Sequence, residues 1–308
     1  MTGSPTLRSV FDAEADGAAA FAFYAEVMGL VPDRSGAKGA DLGSADPEAV
    51  ALAEAVLACR GKLPAAVVRR RLASLRTEAA SRVRAAQAAG SDLRAGGGLG
   101  PGAVDSDPAT IAHAGFFALE VQRLRHRRFD GRMSETLRRE VFVACDAVTV
   151  LPYDPVRDRV LVIEQFRVGP LRRGDPVPWQ LEPIAGRIDP GETPADCARR
   201  EALEEAGLAL GALEKVAEYY PSPGAMSEYL YSYVAISDLP DGCAGVFGKP
   251  EEAEDIKGHL LELDALMAAV AGGEVTNGPL ILTALWLARE RSRLRQNGRG
   301  QIAHPTLP

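Results

Sequence analysis

The composition of the chain is that of a globular protein. It has 308 residues, of which 46% are hydrophobic and 25% charged, enough for one large domain or two ordinary ones. The formal net charge is −7 and Lys and Arg form no long block, which argues against binding to nucleic acid or to a membrane surface. We expect no signal peptide, because no basic segment followed by an apolar run is present at the N-terminus, and no membrane span, because no apolar stretch approaches about 18 residues.

The cysteines also exclude two classes of site. Cys59, Cys145, Cys197 and Cys243 are far apart and form no CxxC pair. This spacing predicts neither a disulfide framework nor a zinc site, and it favours a reducing cytoplasm.

Residues 1–95 are predicted to form a helical N-terminal extension. Apolar residues recur with helical spacing in PEAVALAEAVLACRGK and again in AAVVRRRLASLRTEAASRVRAA, and Pro64 separates the two, so a helical hairpin is expected. The earlier run AAAFAFYAEVMGL fits either a strand or a short buried helix, since periodicity does not decide between them. A Gly-rich stretch follows, and we assign residues 96–108 to a linker.

Beyond the linker the pattern favours strands. One strand is predicted in FFALEVQRLRHRRFDG, and a hairpin in REVFVACDAVTVLPYDPVRDRVLVIEQFRVG, where PYDPVRD joins two β-branched runs. Further strands are predicted in LEPIAGRI, EKVAEYYPSPG and EYLYSYVAISD, and a last helix in GPLILTALWLARERSRLR. Strands mixed with two helices indicate the α+β class.

The segment GRIDPGETPADCARREALEEAGL, residues 186–208, carries the chemistry. Thr193 and Pro194 predict a helix start and Gly207 its end. Three glutamates, Glu201, Glu204 and Glu205, then share one helix face, where they repel one another unless a divalent cation such as Mg²⁺ lies between them. The alternative is an exposed helix on which neighbouring arginines pair with these glutamates.

The spacing in this segment resembles the Nudix box of the Nudix hydrolase superfamily. The pattern is G-x5-E-x7-R-E-x-x-E-E-x-G-L, and its fixed places are filled by Gly186, Glu192, Arg200, Glu201, Glu204, Glu205 and Gly207. The resemblance implies an α/β/α sandwich with a mixed sheet in residues 109–297, followed by a tail at 298–308.

Other stretches resemble the bacterial ADP-ribose pyrophosphatase branch. These are RFDGRMSETLRREVF, LPYDPVRDRVLVIEQFR, PWQLEPIAGRIDPGE, PSPGAMSE and EEAEDI, in that order. The branch implies a cytoplasmic homodimer that uses Mg²⁺, with Mn²⁺ as an alternative, to hydrolyse ADP-ribose to AMP and ribose 5-phosphate. Another nucleoside diphosphate derivative, such as a nucleotide sugar or a dinucleotide, is the alternative substrate.

The resemblance also assigns metal and catalytic roles. Glu201, Glu205, Glu254 and the carbonyl of Ala185 match metal ligands. Glu252 matches the residue that positions or deprotonates the attacking water. Glu251, Glu252 and Glu254 lie so close together in the sequence that their roles could be exchanged. Glu204 matches a ligand or its support. Arg200 is counted with the catalytic residues, and together with Glu192 it is expected to brace the loop against the helix.

Five further residues match substrate contacts of the branch. Arg139 and Arg167 are expected to bind phosphate, and strand-face ion pairing is the alternative for both. Phe116, or its neighbour Phe117, is expected either to stack on adenine or to pack in the core. Glu228 and Gly224 lie in the short PSPGAMSE motif, in which the branch often has a second glycine where this chain has alanine.

The N-terminal extension leaves two interpretations open. It is similar to longer Nudix proteins associated with tellurite resistance, which carry a γ-glutamylcyclotransferase-like domain, and AAAFAFYAEVMGL would then be the remnant of that domain's last strand. A Nudix-fold nucleotide sensor, which regulates a partner through these helices, is the non-enzymatic alternative. Sensors commonly lose box glutamates, and all three are present here, which favours catalysis.

Overall fold

The computed structural model describes residues 5–33, 36–38, 41–88, 93–94, 100, 102–248 and 254–298. The chain forms two compact units. The first unit comprises Met1–Cys145, Asp189–Gly191 and Ser222–Glu228, and the second comprises Asp146–Ile188, Glu192–Pro221 and Tyr229–Pro308. Residues 96–99 and 101 of the predicted linker and residues 299–308 of the predicted tail lie outside the described residues. The predicted domain boundaries stay predictions.

The first unit begins with five helices. They are α1 (Leu7–Asp12), α2 (Gly17–Met28), α3 (Pro47–Ala58), α4 (Ala65–Arg70) and α5 (Leu72–Ala86). The ambiguous run AAAFAFYAEVMGL is therefore a helix, and the strand that the remnant hypothesis requires is wrong. The helix forms because Asp16 caps its first turn through the amide of Ala19 and Gly29 ends it at φ 71°.

The predicted helical hairpin is present with one added break. Its first helix is α3, and its second is divided into α4 and α5 at Arg71, whose φ and ψ of −93° and 5° interrupt the helix. The five helices bury a core of their own, formed mainly by Leu7, Phe11, Tyr24, Val56, Val68 and Leu75.

The strands of the first unit form a pair and a small antiparallel sheet. They are β1 (Val31–Asp33), β2 (Gly36–Lys38), β3 (Val104–Ser106), β4 (Thr110–Ala114), β5 (Ala118–His126) and β6 (Leu137–Val143). β1 pairs with β2, while β3, β4 and β6 all pair with β5, which confirms the strand predicted in FFALEVQRLRHRRFDG.

The second unit contains one mixed sheet of eight strands. They are β7 (Ala147–Asp154), β8 (Arg159–Phe166), β9 (Trp179–Glu182), β10 (Ile184–Arg187), β11 (Leu213–Tyr219), β12 (Leu230–Ile236), β13 (Val246–Phe247) and β14 (Ile256–Glu262). The order is β11-β12-β7-β8-β14-β13, with β10 on β7 and β9 on β8. β12 and β7 are parallel and the other pairs antiparallel, and the predicted β7–β8 hairpin is confirmed.

Helices cover both faces of this sheet. α7 (Pro194–Ala206) covers one face, and α8 (Leu263–Gly272) and α9 (Gly278–Gly298) cover the other, while the short helix α6 (Val168–Arg173) has no buried residue. Side chains alternate along β8, so that Leu161 and Ile163 pack with α7 while Val160 and Val162 pack with α8 and α9. The predicted α/β/α sandwich is therefore confirmed. The expectation of only two helices is wrong, because α6 and α8 are also present.

Among the described residues, no helix combines the length and the apolar character that a membrane crossing requires.

Candidate active site

The ends of α7 fix the position of its glutamates. The Thr193 hydroxyl accepts from the Asp196 amide at 3.2 Å and donates to the Asp196 carboxylate at 2.6 Å. Pro194 occupies the first turn and Gly207 ends the helix at φ 60°. Both predicted boundaries are confirmed, so the glutamate face starts at a fixed point relative to β10.

Arg200 joins the loop before α7 to the helix. Its Nε and Nη2 donate to the two carboxylate oxygens of Glu192 at 2.9 and 3.0 Å, and Nη2 also donates to the carbonyl of Arg187 at 3.1 Å. Its Nη1 donates to Glu201 at 2.7 Å and to Glu204 at 3.1 Å. The hydrogen bond with Glu192 is the largest of the effects that raise the pKa of Arg200. One guanidinium thus holds the loop and partly neutralises the carboxylates beside it.

Glu205 is the buried carboxylate of this region. It is 4% exposed and accepts a hydrogen bond from the Ala185 amide at 3.0 Å. The pKa of Glu205 is raised to about 8, mainly by burial and also by the charges of Glu201 and Glu254, while the Ala185 hydrogen bond and the charge of Arg167 act in the opposite direction. A carboxyl group with this pKa and two acidic neighbours is typical of a functional site.

Gly186 is required by the carboxylate of Glu201. A Cβ at position 186 would lie 1.8 Å from Glu201 Oε1, far inside van der Waals contact. In its observed position the side chain of Glu201 lies directly against the backbone of β10, in the space that a Cβ at position 186 would occupy. The same strand supplies the Ala185 amide to Glu205, so β10 positions both glutamates.

Arg167 pairs with an acidic residue that the sequence analysis did not single out. Its Nη2 donates to Glu182 at 2.6 Å and its Nε contacts both Glu182 oxygens at 3.1 Å, while Glu182 is buried. Burial lowers the pKa of Arg167, yet the hydrogen bond to Glu182 and the charges of Glu182, Glu205 and Glu254 raise it overall. In the sequence, Glu182 could have been recognised as the one acidic residue of the strand motif WQLE, which lies shortly before the Nudix box.

Within the described residues, the predicted metal ligands are not gathered into one cluster. In the part of the chain that the structure describes, no three His, Cys, Asp or Glu side chains are gathered closely enough to hold a metal ion. Two of the predicted ligands or supports, Glu201 and Glu204, instead hydrogen bond to Arg200. The predicted metal ligands therefore stay predictions.

The remaining predicted residues lie elsewhere or outside the described residues. The structure brings together Ala185, Arg200, Glu201, Glu204 and Glu205 in the second unit, with Arg167 and Glu254 within electrostatic reach of Glu205. It places Phe116, Arg139, Gly224 and Glu228 in the first unit. Glu252 and its alternative Glu251 lie outside the described residues.

The known proteins that are similar to this chain point to a single family. Residues 144–281 match the NUDIX domain. An ADP-ribose pyrophosphatase of Escherichia coli is 38% identical over 183 residues, 59% of this chain and 87% of that protein. One from Haemophilus influenzae is 33% identical over 187 residues, 60% of this chain and 86% of that protein. A GDP-mannose pyrophosphatase of Enterobacter sp. is 31% identical over 150 residues, 49% of this chain and 77% of that protein. The chain therefore belongs to the Nudix family, in the branch that includes these ADP-ribose pyrophosphatases.

Proposed function

We propose that the protein is a Mg²⁺-dependent hydrolase that cleaves the pyrophosphate bond of ADP-ribose to AMP and ribose 5-phosphate. The observation that carries the proposal is Glu205, a buried carboxylate placed by a β10 amide within the fields of Glu201 and Glu254. A buried carboxylate of the Nudix box with two acidic groups within electrostatic reach favours a bound cation over an inert helix face.

The residues present fit a divalent cation. Glu201, Glu205, Glu254 and the carbonyl of Ala185 offer hard oxygen donors, the type that Mg²⁺ and Mn²⁺ prefer. A cation there would offset both the burial and the repulsion that raise the pKa of Glu205. When bound, the metal supplies charge stabilisation for the phosphates and lowers the pKa of water.

The other roles follow from the chemistry of a pyrophosphate. Arg139 and Arg167 are proposed to bind phosphate oxygens, and Phe116, Gly224 and Glu228 to contact the rest of the substrate. Glu252 is proposed as the general base, with Glu204 and Arg200 supporting the reacting geometry. We further propose that the protein acts as a cytoplasmic homodimer, as the branch resemblance implies.

Gly186→Ala tests the placement of Glu201. The new methyl group would occupy the position of the Glu201 side chain, which is long enough to move aside without unfolding the protein. We expect turnover to fall on the order of a hundredfold, because a displacement of about 1 Å in an active site has this effect. Steady-state kinetics of Gly186→Ala should be compared with Gly169→Ala, whose Cβ meets nothing within 4 Å. Equal activity of the two variants would contradict the placement.

A substrate panel tests the proposed reaction. The relatives include GDP-mannose pyrophosphatases, which makes a nucleotide sugar the second candidate substrate. Products should be identified after incubation with Mg²⁺ and ADP-ribose, GDP-mannose, NADH or diadenosine phosphates. We expect AMP and ribose 5-phosphate from ADP-ribose, at a kcat/KM well above that of the other compounds. Preferred turnover of GDP-mannose would retain the chemistry and reject the substrate, whereas binding of ADP-ribose without any turnover would indicate a sensor.

A further inference from the structure

The hairpin loop between β4 and β5 carries exposed aromatic side chains. It consists of Gly115, Phe116 and Phe117, closed by a hydrogen bond from the Gly115 amide to the Phe117 carbonyl at 2.9 Å. Phe116 is 60% exposed and Phe117 37%. Phe116 and Phe117 stack edge to face at 4.8 Å, and Phe117 contacts Phe142 of β6 at 4.7 Å. Large exposed aromatics grouped on a loop are typical of a ligand contact rather than of a core.

The aromatic group is joined to the loop that carries two other proposed substrate contacts. The Phe142 amide donates to the Ala225 carbonyl at 2.9 Å, and the Ser227 amide donates to the Phe142 carbonyl at 3.1 Å. Phe142 is therefore anchored on both sides by the segment containing Gly224 and Glu228. The aromatic group and this segment both belong to the first unit and are joined through the backbone of Phe142.

The N-terminal helices hold the hairpin loop from the other side. Arg71, between α4 and α5, donates from Nε to the Gly115 carbonyl at 2.9 Å. Ser74 of α5 donates from its hydroxyl to the Phe116 carbonyl at 3.2 Å. These donors lie 44 and 42 residues away from their acceptors in sequence. A short hairpin tip is normally free to move, so two distant side chains that bind its carbonyls restrain it.

Arg71 is itself fixed in place. Its side chain is 6% exposed and its Nη2 pairs with Glu78 at 2.9 Å. A buried guanidinium held by a carboxylate has few other rotamers, so the Gly115 carbonyl meets a preorganised donor.

The rest of β4 is attached to the helices in the same way. Lys62 donates to the Ala109 carbonyl at 2.8 Å, just before β4 begins, and Ile111 packs against the helical core. The helices therefore hold β4 from its start to the aromatic loop. Through these contacts, the position of the helices determines the position of the loop that carries Phe116.

We propose that the N-terminal helical extension sets substrate affinity by positioning the Phe116 loop, with Arg71 and Ser74 as its positioning residues. The proposal deepens the proposed function and rests on it, since Phe116 is taken to stack on the base of the nucleotide. A base stacked on an aromatic ring gains affinity only if the ring is already in place, because otherwise binding must order the loop.

Ser74→Ala in the full-length protein is the central test. Loss of one hydrogen bond that holds a binding loop should raise KM for ADP-ribose by roughly three- to tenfold with kcat unchanged. Ser74→Thr retains the hydroxyl and should restore the KM. Ser81→Ala is the matched control, because Ser81 lies on the same helix and its hydroxyl donates to the Thr77 carbonyl at 2.9 Å. Arg71→Lys keeps a charge beside Glu78 and should act in the same direction as Ser74→Ala.

Two further measurements separate positioning from general stability. In a Phe116→Ala background, Ser74→Ala should raise KM no further, because both changes act through the same ring. Amide hydrogen exchange at Gly115–Phe117 should accelerate in Ser74→Ala and stay at the wild-type rate in Ser81→Ala. Unchanged KM and unchanged exchange in both Ser74→Ala and Arg71→Lys would overturn the proposal, as would additive effects with Phe116→Ala. If the wild-type protein does not hydrolyse ADP-ribose, the proposed function fails, and the exchange rates alone decide whether the helices restrain the loop.

Discussion

Glu205→Gln is expected to lose at least about a hundredfold in turnover while the metal-free protein becomes more stable near pH 8. The activity falls because the amide offers neither charge nor a second equivalent oxygen to a cation. Stability rises because an amide has no charge to bury, whereas the carboxylate lies in a site that is 4% exposed. Opposite changes in activity and stability are characteristic of a residue retained for function.

The pH dependence of this stability follows from the pKa of Glu205. Folding raises the pKa from 4.5 to about 8, so between these values the native state binds more protons than the unfolded state. The free energy of unfolding of the metal-free wild type should therefore decrease as the pH rises through this range, by about 3–5 kcal/mol. Below pH 4.5 the group is protonated in both states and contributes no difference.

Urea unfolding of chelator-treated protein at several pH values measures both effects. Glu205→Gln should show a smaller loss of stability between pH 5 and pH 8 than the wild type, and Glu274→Gln, an exposed residue of the second unit, should match the wild type. Full turnover in Glu205→Gln, or identical pH profiles in all three proteins, would contradict the role assigned to Glu205.

Asp158→Ala is expected to cost about 1–3 kcal/mol of stability, because it leaves the buried Tyr153 hydroxyl without its acceptor and removes the counter-charge of two half-buried arginines. Asp158 accepts from the Tyr153 hydroxyl at 2.7 Å and pairs with Arg291 and Arg295 of α9. Burial raises the pKa of Asp158, but its hydrogen bonds and the two arginines lower it overall. The Asp158 carboxylate therefore links α9 to the β7–β8 hairpin.

The backbone at Asp158 adds to the cost. Its φ of 61° lies in the left-handed region, which alanine adopts less readily than aspartate or asparagine. Asp158→Asn keeps the favourable backbone and should lose less stability than Asp158→Ala. Asp264→Ala is the matched control, since Asp264 contacts the same Arg291 at 2.6 Å but its side chain is 77% exposed, and it should cost less than about 1 kcal/mol. Thermal and urea unfolding should rank the three variants in that order, and similar losses for Asp158→Ala and Asp264→Ala would refute the buried network.

The sequence predicted those parts of the fold that local patterns determine. Thr193 and Gly207 bound α7 as expected, because capping depends on residues a few positions apart. The β-branched run in RVLVIEQF predicted β8, which is buried on both faces. The helices α6 and α8 were missed because they are short and their apolar residues differ little from those of adjacent strands.

Contacts between distant residues could not be read from the sequence. The ion pair of Arg167 with Glu182 requires β8 and β9 to lie side by side, and the Phe116 loop meets Ser74 only after the helices pack on β4. The requirement for glycine at 186 was visible as a fixed place in the box, but its cause, the Glu201 carboxylate, appears only in three dimensions. Local spacing thus identified the acidic residues, and packing decided which of them is buried.

The most direct test of the proposed reaction is the metal dependence of ADP-ribose turnover by chelator-treated protein. Mg²⁺ should be added back in steps while AMP and ribose 5-phosphate are quantified, with Glu201→Gln measured in parallel. We predict no turnover without metal, saturable recovery with equal amounts of the two products in the wild type, and no recovery in Glu201→Gln. Turnover that persists without metal, or full recovery in Glu201→Gln, would contradict a metal site built on α7.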